Sequence, residues 1–279
     1  MRLPGEPLDG WRKIASATWR APNDPQIFGA LDVDASAIRA FVLAARASGH
    51  HVTATHLAGR AVARALDAVP ELNTRIVLGR AFPRPSIDVF FITSIDGGRD
   101  LSGVKVERAI DKPAVDIARE LGARSRALRE GRDPDLARAK GVMQRLPLPL
   151  LRAGLRAMSW LTADLGVAVP PLGLRASPFG SAMVSSVGML GIPMGFAPLV
   201  WMYGVPLLVL VGEISDKAVV IDGHVRVRPM LPVTATIDHR YVDGAQIARA
   251  MKAFRAYLTE PARFEPPLAS LTARGAAAL

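Results

Sequence analysis

The order of apolar and polar positions divides most of the chain into strands and helices with short connections. Gln26 to Val33 alternates with the period of two that turns one strand face inward. Asp34-Ala35-Ser36 then reads as a helix start, and Ile38 to Ala47 continues at helical spacing until Gly49 ends it. A second helix opens at Thr53 or Thr55 and runs through Ala68, with Leu57, Val62 and Leu66 on one side and Pro70 as its stop. Thr74 to Val77 and Ile87 to Ile95 read as strands. Within the latter, Val89-Phe90-Phe91-Ile92 is apolar on both faces, which predicts a central place in a sheet. A strand over Gly103 to Ile110 and a long helix over Ala114 to Glu130, with Pro113 ahead of it, come next. The last third predicts strands over 182–187, 207–214, 218–221, 225–229 and 233–237, a hairpin turn at Asp222-Gly223, and a helix from Gly244 to Leu258. Trp11 to Arg20 reads as a further short helix. With no repeat and no evident linker, the expectation is one α+β domain over 1–279, a mixed sheet with helices packed on it.

The stretch from about Arg132 to Leu174 departs from this rhythm. It is rich in leucine and proline, punctuated by Arg152, Arg156 and Asp164, and it predicts a helical insertion. Burial against protein is the expectation, with an interfacial membrane element as the alternative. No uninterrupted apolar run reaches the roughly 20 residues of a membrane-spanning helix, and the N-terminus has no apolar signal core. A cytoplasmic protein is expected, with peripheral membrane contact left open. The chain has no cysteine, which removes disulfides, thiolate metal sites and cysteine nucleophiles. Its net charge of +10 suits a polyanionic small molecule or an anionic surface. Its arginines are scattered and no nucleic-acid-binding motif is visible, so nucleic acid is not expected as a partner.

The chemistry concentrates in Val233-Thr234-Ala235-Thr236-Ile237-Asp238-His239-Arg240-Tyr241-Val242-Asp243-Gly244-Ala245-Gln246. A β-branched strand runs into a histidine, and a helix follows a few residues later. A histidine at a strand end is held by stiff backbone while its ring can face a cleft, and imidazole titrates near neutral pH, as a general base requires. Asp243 and Gln246 also have the spacing of a capping box, so Asp243 is expected to fix the start of the helix. His50, His51, His56 and His224 lack such a setting and are read as structural.

This segment resembles the H-x-x-x-D-G motif of the catalytic core domain of 2-oxo-acid dehydrogenase dihydrolipoamide acyltransferases. Arg12-Lys13-Ile14-Ala15 is similar to that family's R-x-I-A segment, and Pro70-Glu71-Leu72-Asn73 to its P-x-x-N turn. Val184-Ser185-Ser186-Val187-Gly188-Met189-Leu190-Gly191 is similar to its strand and glycine loop, and Pro229-Met230-Leu231-Pro232 to the approach to the histidine strand. The resemblance spans about residues 11–265. It implies a chloramphenicol acetyltransferase-like two-layer sandwich with the active site at a homotrimer interface.

It further implies acyl transfer between coenzyme A and a thiol acceptor such as a dihydrolipoyl group. His239 would deprotonate the attacking thiol. Ser185, from a neighbouring subunit, would donate to the tetrahedral oxyanion, a contact typically worth about 3 kcal/mol of barrier. Asp243 would hold the loop, with Gly244, Arg12 and Asn73 as structural support. Acyl-coenzyme A is the expected substrate, and no metal is called for. The resemblance does not extend to a lipoyl or a peripheral-subunit-binding domain, so a lipoyl carrier would come from another chain. The family's T-P-x-G-L-x-V-P-V stretch corresponds to Thr93 to Val104 without its two prolines, which leaves the acceptor open. A membrane-bound hydrophobic acceptor and a non-catalytic trimeric scaffold are the alternatives.

Overall fold

The computed structural model describes residues 24–95, 100–129, 147–169 and 175–271. Strand β1 (Gln26–Asp34) leads into helix α1 (Ser36–Ala47), and Asp34 marks the join by accepting the Ser36 amide at 2.8 Å. Helix α2 (Ala54–Ala68) starts in a capping box in which Thr53 and His56 satisfy each other's backbone, and it ends before a 3-10 turn at Pro70–Asn73. The small hairpin of β2 (Thr74–Val77) and β3 (Arg80–Pro83) stands apart from the main sheet. Strands β4 (Val89–Ile95) and β5 (Asp100–Val106) follow, then α3 (Ala114–Arg129). Helix α4 (Leu148–Ser159) runs into a π-helical turn at Trp160–Asp164. The rest is β6 (Ala182–Ser186), β7 (Leu207–Val211), β8 (Ser215–Ile221), β9 (His224–Asp238), α5 (Gly244–Thr259) and the single turn α6 (Pro261–Phe264).

Among the described residues the main sheet runs β1-β9-β7-β6-β4-β5, with β8 paired to the first half of β9. The pairs β4/β6 and β6/β7 are parallel and the others antiparallel, so the sheet is mixed, as expected. β4 lies between β5 and β6, which explains its two apolar faces. Val89 and Phe91 enter the core beneath the helices, while Phe90 and Ile92 pack with Met183, Val205 and Leu208 on the opposite side. Helix α2 presses directly on this strand. A Cβ at Gly59 would stand 2.1 Å from the Phe91 ring, so only glycine lets helix and strand approach so closely.

The structure corrects several boundaries. The strand expected over Gly103–Ile110 is β5 at Asp100–Val106, and a left-handed Arg108 then turns the chain into a 3-10 turn at Ala109–Asp111. The strands expected at 225–229 and 233–237 are one, β9. It changes partner from β8 at Met230 to β7 at Val233, and Pro229 and Pro232 flank that change, where the ladder spares their missing N–H groups. The hairpin turn stands as expected, with Asp222 and Gly223 both at positive φ. The helix expected at Trp11–Arg20, residues 96–99 and the parts of the stretch 132–174 on either side of 147–169 lie outside the described residues. No described helix is long and apolar enough to cross a membrane.

Candidate active site

The end of β9 is fastened on both sides. Asp238 donates its amide to Pro206 O just ahead of β7, and His239 donates its amide to Pro25 O just ahead of β1, each at 2.9 Å. The turn that follows carries its own ion pair. Asp238, nearly buried, takes Arg240 Nε at 3.0 and 3.1 Å, Arg240 Nη2 at 2.5 Å and the Arg240 amide at 3.0 Å. That bond to Asp238 is the main reason the Arg240 guanidinium is held above its ordinary pKa. His239 therefore sits at the apex of a turn closed by a bidentate carboxylate–guanidinium clamp.

His239 Nδ1 lies 2.6 Å from Val242 O. A carbonyl oxygen only accepts, so Nδ1 carries the proton and the neutral ring presents its lone pair at Nε2. Val242 is buried and supplies a fixed anchor. Asp243 is the N-cap of α5. Its Oδ1 accepts the Ala245 amide at 3.1 Å, and Gln246 Oε1 accepts the Asp243 amide at 3.3 Å. These two bonds complete the expected capping box. Arg12, expected as structural support of the site, lies outside the described residues. Gly244 opens α5 with free space around a would-be Cβ among the described residues, whose packing does not require glycine there.

Ser185 lies on β6, opposite Leu210 of β7, which in turn stands opposite Thr234 of β9. His239 lies five residues past Thr234, about 16 Å along the strand at roughly 3.3 Å per residue, and two strand spacings of about 4.8 Å to the side. Within one chain the two side chains cannot meet at one reacting carbon. Asn73 serves the Ser185 strand rather than the histidine. Its Oδ1 accepts the Ser181 hydroxyl at 2.5 Å, and its carbonyl accepts the Arg84 amide at 2.9 Å. Past Ser186 the chain makes a 3-10 turn at Gly188–Leu190 and continues as a loop with exposed apolar side chains, Met189 at 74% and Leu190 at 66%. Phe196 of this loop meets Phe28 of β1 edge to face, and both rings remain open to solvent.

Behind the turn lies a polar cluster that reading by motif does not find. Arg84 is buried, and that burial draws its pKa down to about 10, the nearby charge of Arg75 adding to the effect. It donates to Thr74 O at 3.1 Å and Gly204 O at 2.6 Å. Burial raises the Tyr241 phenol and the Asp164 carboxyl as well, although Arg240, Arg84 and Arg75 all oppose the shift at Asp164. The signal available in the sequence is narrow: Asp238 and Arg240 flank His239 at a spacing of two, which places them on one side of extended chain.

Residues 179–265 match the family model described as 2-oxoacid dehydrogenases acyltransferase (catalytic domain). The dihydrolipoyllysine-residue acetyltransferase component of the acetoin cleaving system of Bacillus subtilis is 24% identical over 263 residues, 92% of this chain and 55% of that protein. The corresponding component of the pyruvate dehydrogenase complex of Rhizobium meliloti is 31% identical over 133 residues, 46% of this chain and 29% of that protein. The chain thus spans about half, or less, of the length of these relatives. Among solved structures, a probable dihydrolipoamide acetyltransferase from Listeria monocytogenes superposes with a TM-score of 0.62 at 20% identity, covering 91% of this chain and 93% of that one. The cubic core of the pyruvate dehydrogenase multienzyme complex gives 0.63 at 18% identity, with 94% and 99% covered. The fold is that of these acyltransferase cores, and the resemblance read from the motifs holds.

Proposed function

We propose that this chain, carrying the acyltransferase catalytic segment just described, moves an acyl group between coenzyme A and a thiol acceptor such as a dihydrolipoyl group. The observation that carries the reading is the bond between His239 Nδ1 and Val242 O, which reserves Nε2 for the substrate. Nε2 takes the proton of the attacking thiol, and the thiolate adds to the thioester carbonyl of the other carrier. The Ser185 hydroxyl donates to the resulting oxyanion. Collapse of the tetrahedral adduct breaks the old carbon–sulfur bond, and the departing thiolate recovers the proton from the imidazolium. No acyl-enzyme forms, so Ser185 acts as a donor and not as a nucleophile. Asp243 holds the end of the turn through its cap on α5.

The wide separation of Ser185 and His239 within one chain supports a site shared between subunits, with Ser185 supplied by a neighbour in a homotrimer. The exposed apolar loop after Ser185 and the open Phe28–Phe196 pair suit such a contact. A lipoyl carrier would arrive on another chain, and the catalytic unit would be a single domain. A hydrophobic or lipid acceptor is the second reading. Leu150 and Trp160 favour it, both more than half exposed on α4 and its π turn, with exposed Arg152 and Arg156 beside them.

The test is acyl transfer from acyl-coenzyme A to dihydrolipoamide by the purified chain and by His239→Ala. The expected outcome is thioester turnover that the substitution lowers by at least about a thousandfold. Equal rates in the two proteins would overturn the proposal.

A further inference from the structure

The segment 147–169 has a held side and a bare side. Ser159 is buried and donates its hydroxyl to Met202 O at 2.9 Å. Thr162 and Ala163 are buried in the π turn, and Arg75 of β2 donates to Asp164 O at 3.3 Å. Leu151, Leu155 and Met158 of α4 lie partly buried on the Ser159 side. The opposite face is bare. Leu150, Ala153, Gly154 and Ala157 follow the i, i+3, i+4, i+7 spacing that aligns them along one side of the helix, and all four are exposed. Leu150 is 61% exposed, and Trp160, 53% exposed, carries the face on into the π turn. Leu165 and Val167, just past the turn, are exposed as well.

Arg152 and Arg156, both exposed, stand one turn apart along a flank of this face, and Trp160 is next in the same row. The sequence around them carries one sign of charge. From Leu136 to Ala163 it holds Arg138, Lys140, Arg145, Arg152 and Arg156 and no Asp or Glu, and Asp164 is the single acidic residue between Asp135 and Glu213. An apolar strip with cations along its edge and an indole at its end is complementary to an anionic bilayer. The strip enters the acyl boundary, the indole sits at headgroup level, and the guanidiniums meet lipid phosphates. Helix α4 has 12 residues and is therefore about 18 Å long, well short of the roughly 30 Å of a hydrocarbon core, so it suits lying flat and not crossing.

We propose that the outer face of α4 and its π turn is a docking surface for an anionic lipid bilayer, with Leu150 and Trp160 as its apolar anchors and Arg152 and Arg156 as its phosphate contacts. The inner side of the segment keeps its hold on the protein, so the chain is carried at the bilayer surface by one helix. The inference goes beyond the acyl transfer proposed above and does not depend on it, because it concerns where the protein sits, whichever group accepts the acyl. Burial against protein and an interfacial element, opposed as readings of the sequence, are then the two sides of one helix.

The test is flotation of the full chain with two kinds of vesicle, pure phosphatidylcholine and phosphatidylcholine carrying phosphatidylglycerol. The chain should float with the anionic vesicles, and raising the salt from about 0.05 M to about 0.5 M should release most of it. Leu150→Ser combined with Trp160→Ser should weaken that binding at least about tenfold at low salt. Arg152→Gln combined with Arg156→Gln should weaken it by about tenfold too, and flatten its salt dependence. Lipids brominated in the acyl chains should quench Trp160, read as the difference between the unsubstituted chain and Trp160→Phe. All four positions are exposed, so thermal melts of the variants should match that of the unsubstituted chain. The proposal is overturned by a chain that floats with neither vesicle, or by a Leu150→Ser, Trp160→Ser chain that binds as well as the original. A fall in oligomeric mass in that variant also overturns it, since the face would then be a contact between copies. Acyl transfer enters none of these readings, so the loss of either proposal leaves the other standing.

Discussion

Asp238 and Arg240 grip each other across His239, with Arg240 Nη2 2.5 Å from Asp238 Oδ2 and the histidine between them in sequence. The carboxylate is nearly buried, while most of the arginine side chain faces water. The pair is asymmetric. Losing the arginine strands a charge inside the protein, whereas losing the carboxylate frees a cation that water can take up.

Arg240→Ala should therefore lower stability by about 1–2 kcal/mol, less than for a fully enclosed pair because the arginine is largely exposed. It should also lower kcat with little change in KM, because the turn loosens while the path to it stays open. Urea denaturation and steady-state kinetics on the same preparation check both effects. An unchanged kcat would show that the clamp does not orient the histidine.

Ser185→Ala and His239→Ala should each be nearly inactive alone. If the site lies between neighbouring chains, mixing the two after subunit exchange should recover about a quarter of the unsubstituted rate. That is the share of interfaces at which an intact histidine meets an intact serine in a cyclic assembly. No recovery, with exchange verified by mass, would place both groups of each site in one chain.

His56 predicts an acid-labile step. Burial draws its pKa from 6.5 to about 4. In the range between those values the unfolded chain binds more protons than the folded one, so stability is constant above about pH 6.5 and falls as pH drops toward 4. The loss should be at most about 3 kcal/mol from this residue. His56→Gln keeps an acceptor for the Thr53 amide, which His56 Nδ1 now takes at 3.1 Å. Its stability should be flatter across that range, as chemical denaturation at stepped pH can measure.

Glu265 holds three elements at once. It accepts from Arg60 of α2 at 3.3 Å, from Tyr257 of α5 at 2.8 Å and from the Ala114 amide that opens α3 at 2.7 Å. Arg60 also reaches the carbonyls of Ala109 and Ile110. Glu265→Gln would leave the buried guanidinium without a counter-charge and should cost about 3–5 kcal/mol. Tyr257→Phe should cost only about 1 kcal/mol. Equal losses in the two would mean that packing, and not charge, governs this junction.

The central strand, the helices around Leu57 and Ile247 and the cap at Asp243 are legible in the sequence because each depends on neighbours within a few residues. The unbroken apolar run Val89–Ile92 and the Asp243/Gln246 spacing record local constraints. The division of β9 into two strands at its prolines is a misreading of the same kind of signal. A proline forbids a hydrogen bond only where one is needed, and the partner change between Met230 and Val233 removes the need. The candidate base was also legible, because motif and strand end coincide at His239. What sets Arg75 on the carbonyl of Asp164 and Arg84 on that of Gly204 was not, since the partners of each pair are far apart in sequence and meet only once the small hairpin folds against the 147–169 segment and the stretch ahead of β7.

The amide of His239 rests on the carbonyl of Pro25, one residue ahead of the first strand. Every strand and helix described would survive in a protein shortened to begin at Gln26, and a folding assay would score it as intact. Its histidine would nevertheless have lost one of the two carbonyls that hold the strand end. Fusion partners, affinity tags and protease sites placed against Gln26 therefore act on the proposed site itself, and an inactive recombinant product can owe its silence to cloning alone.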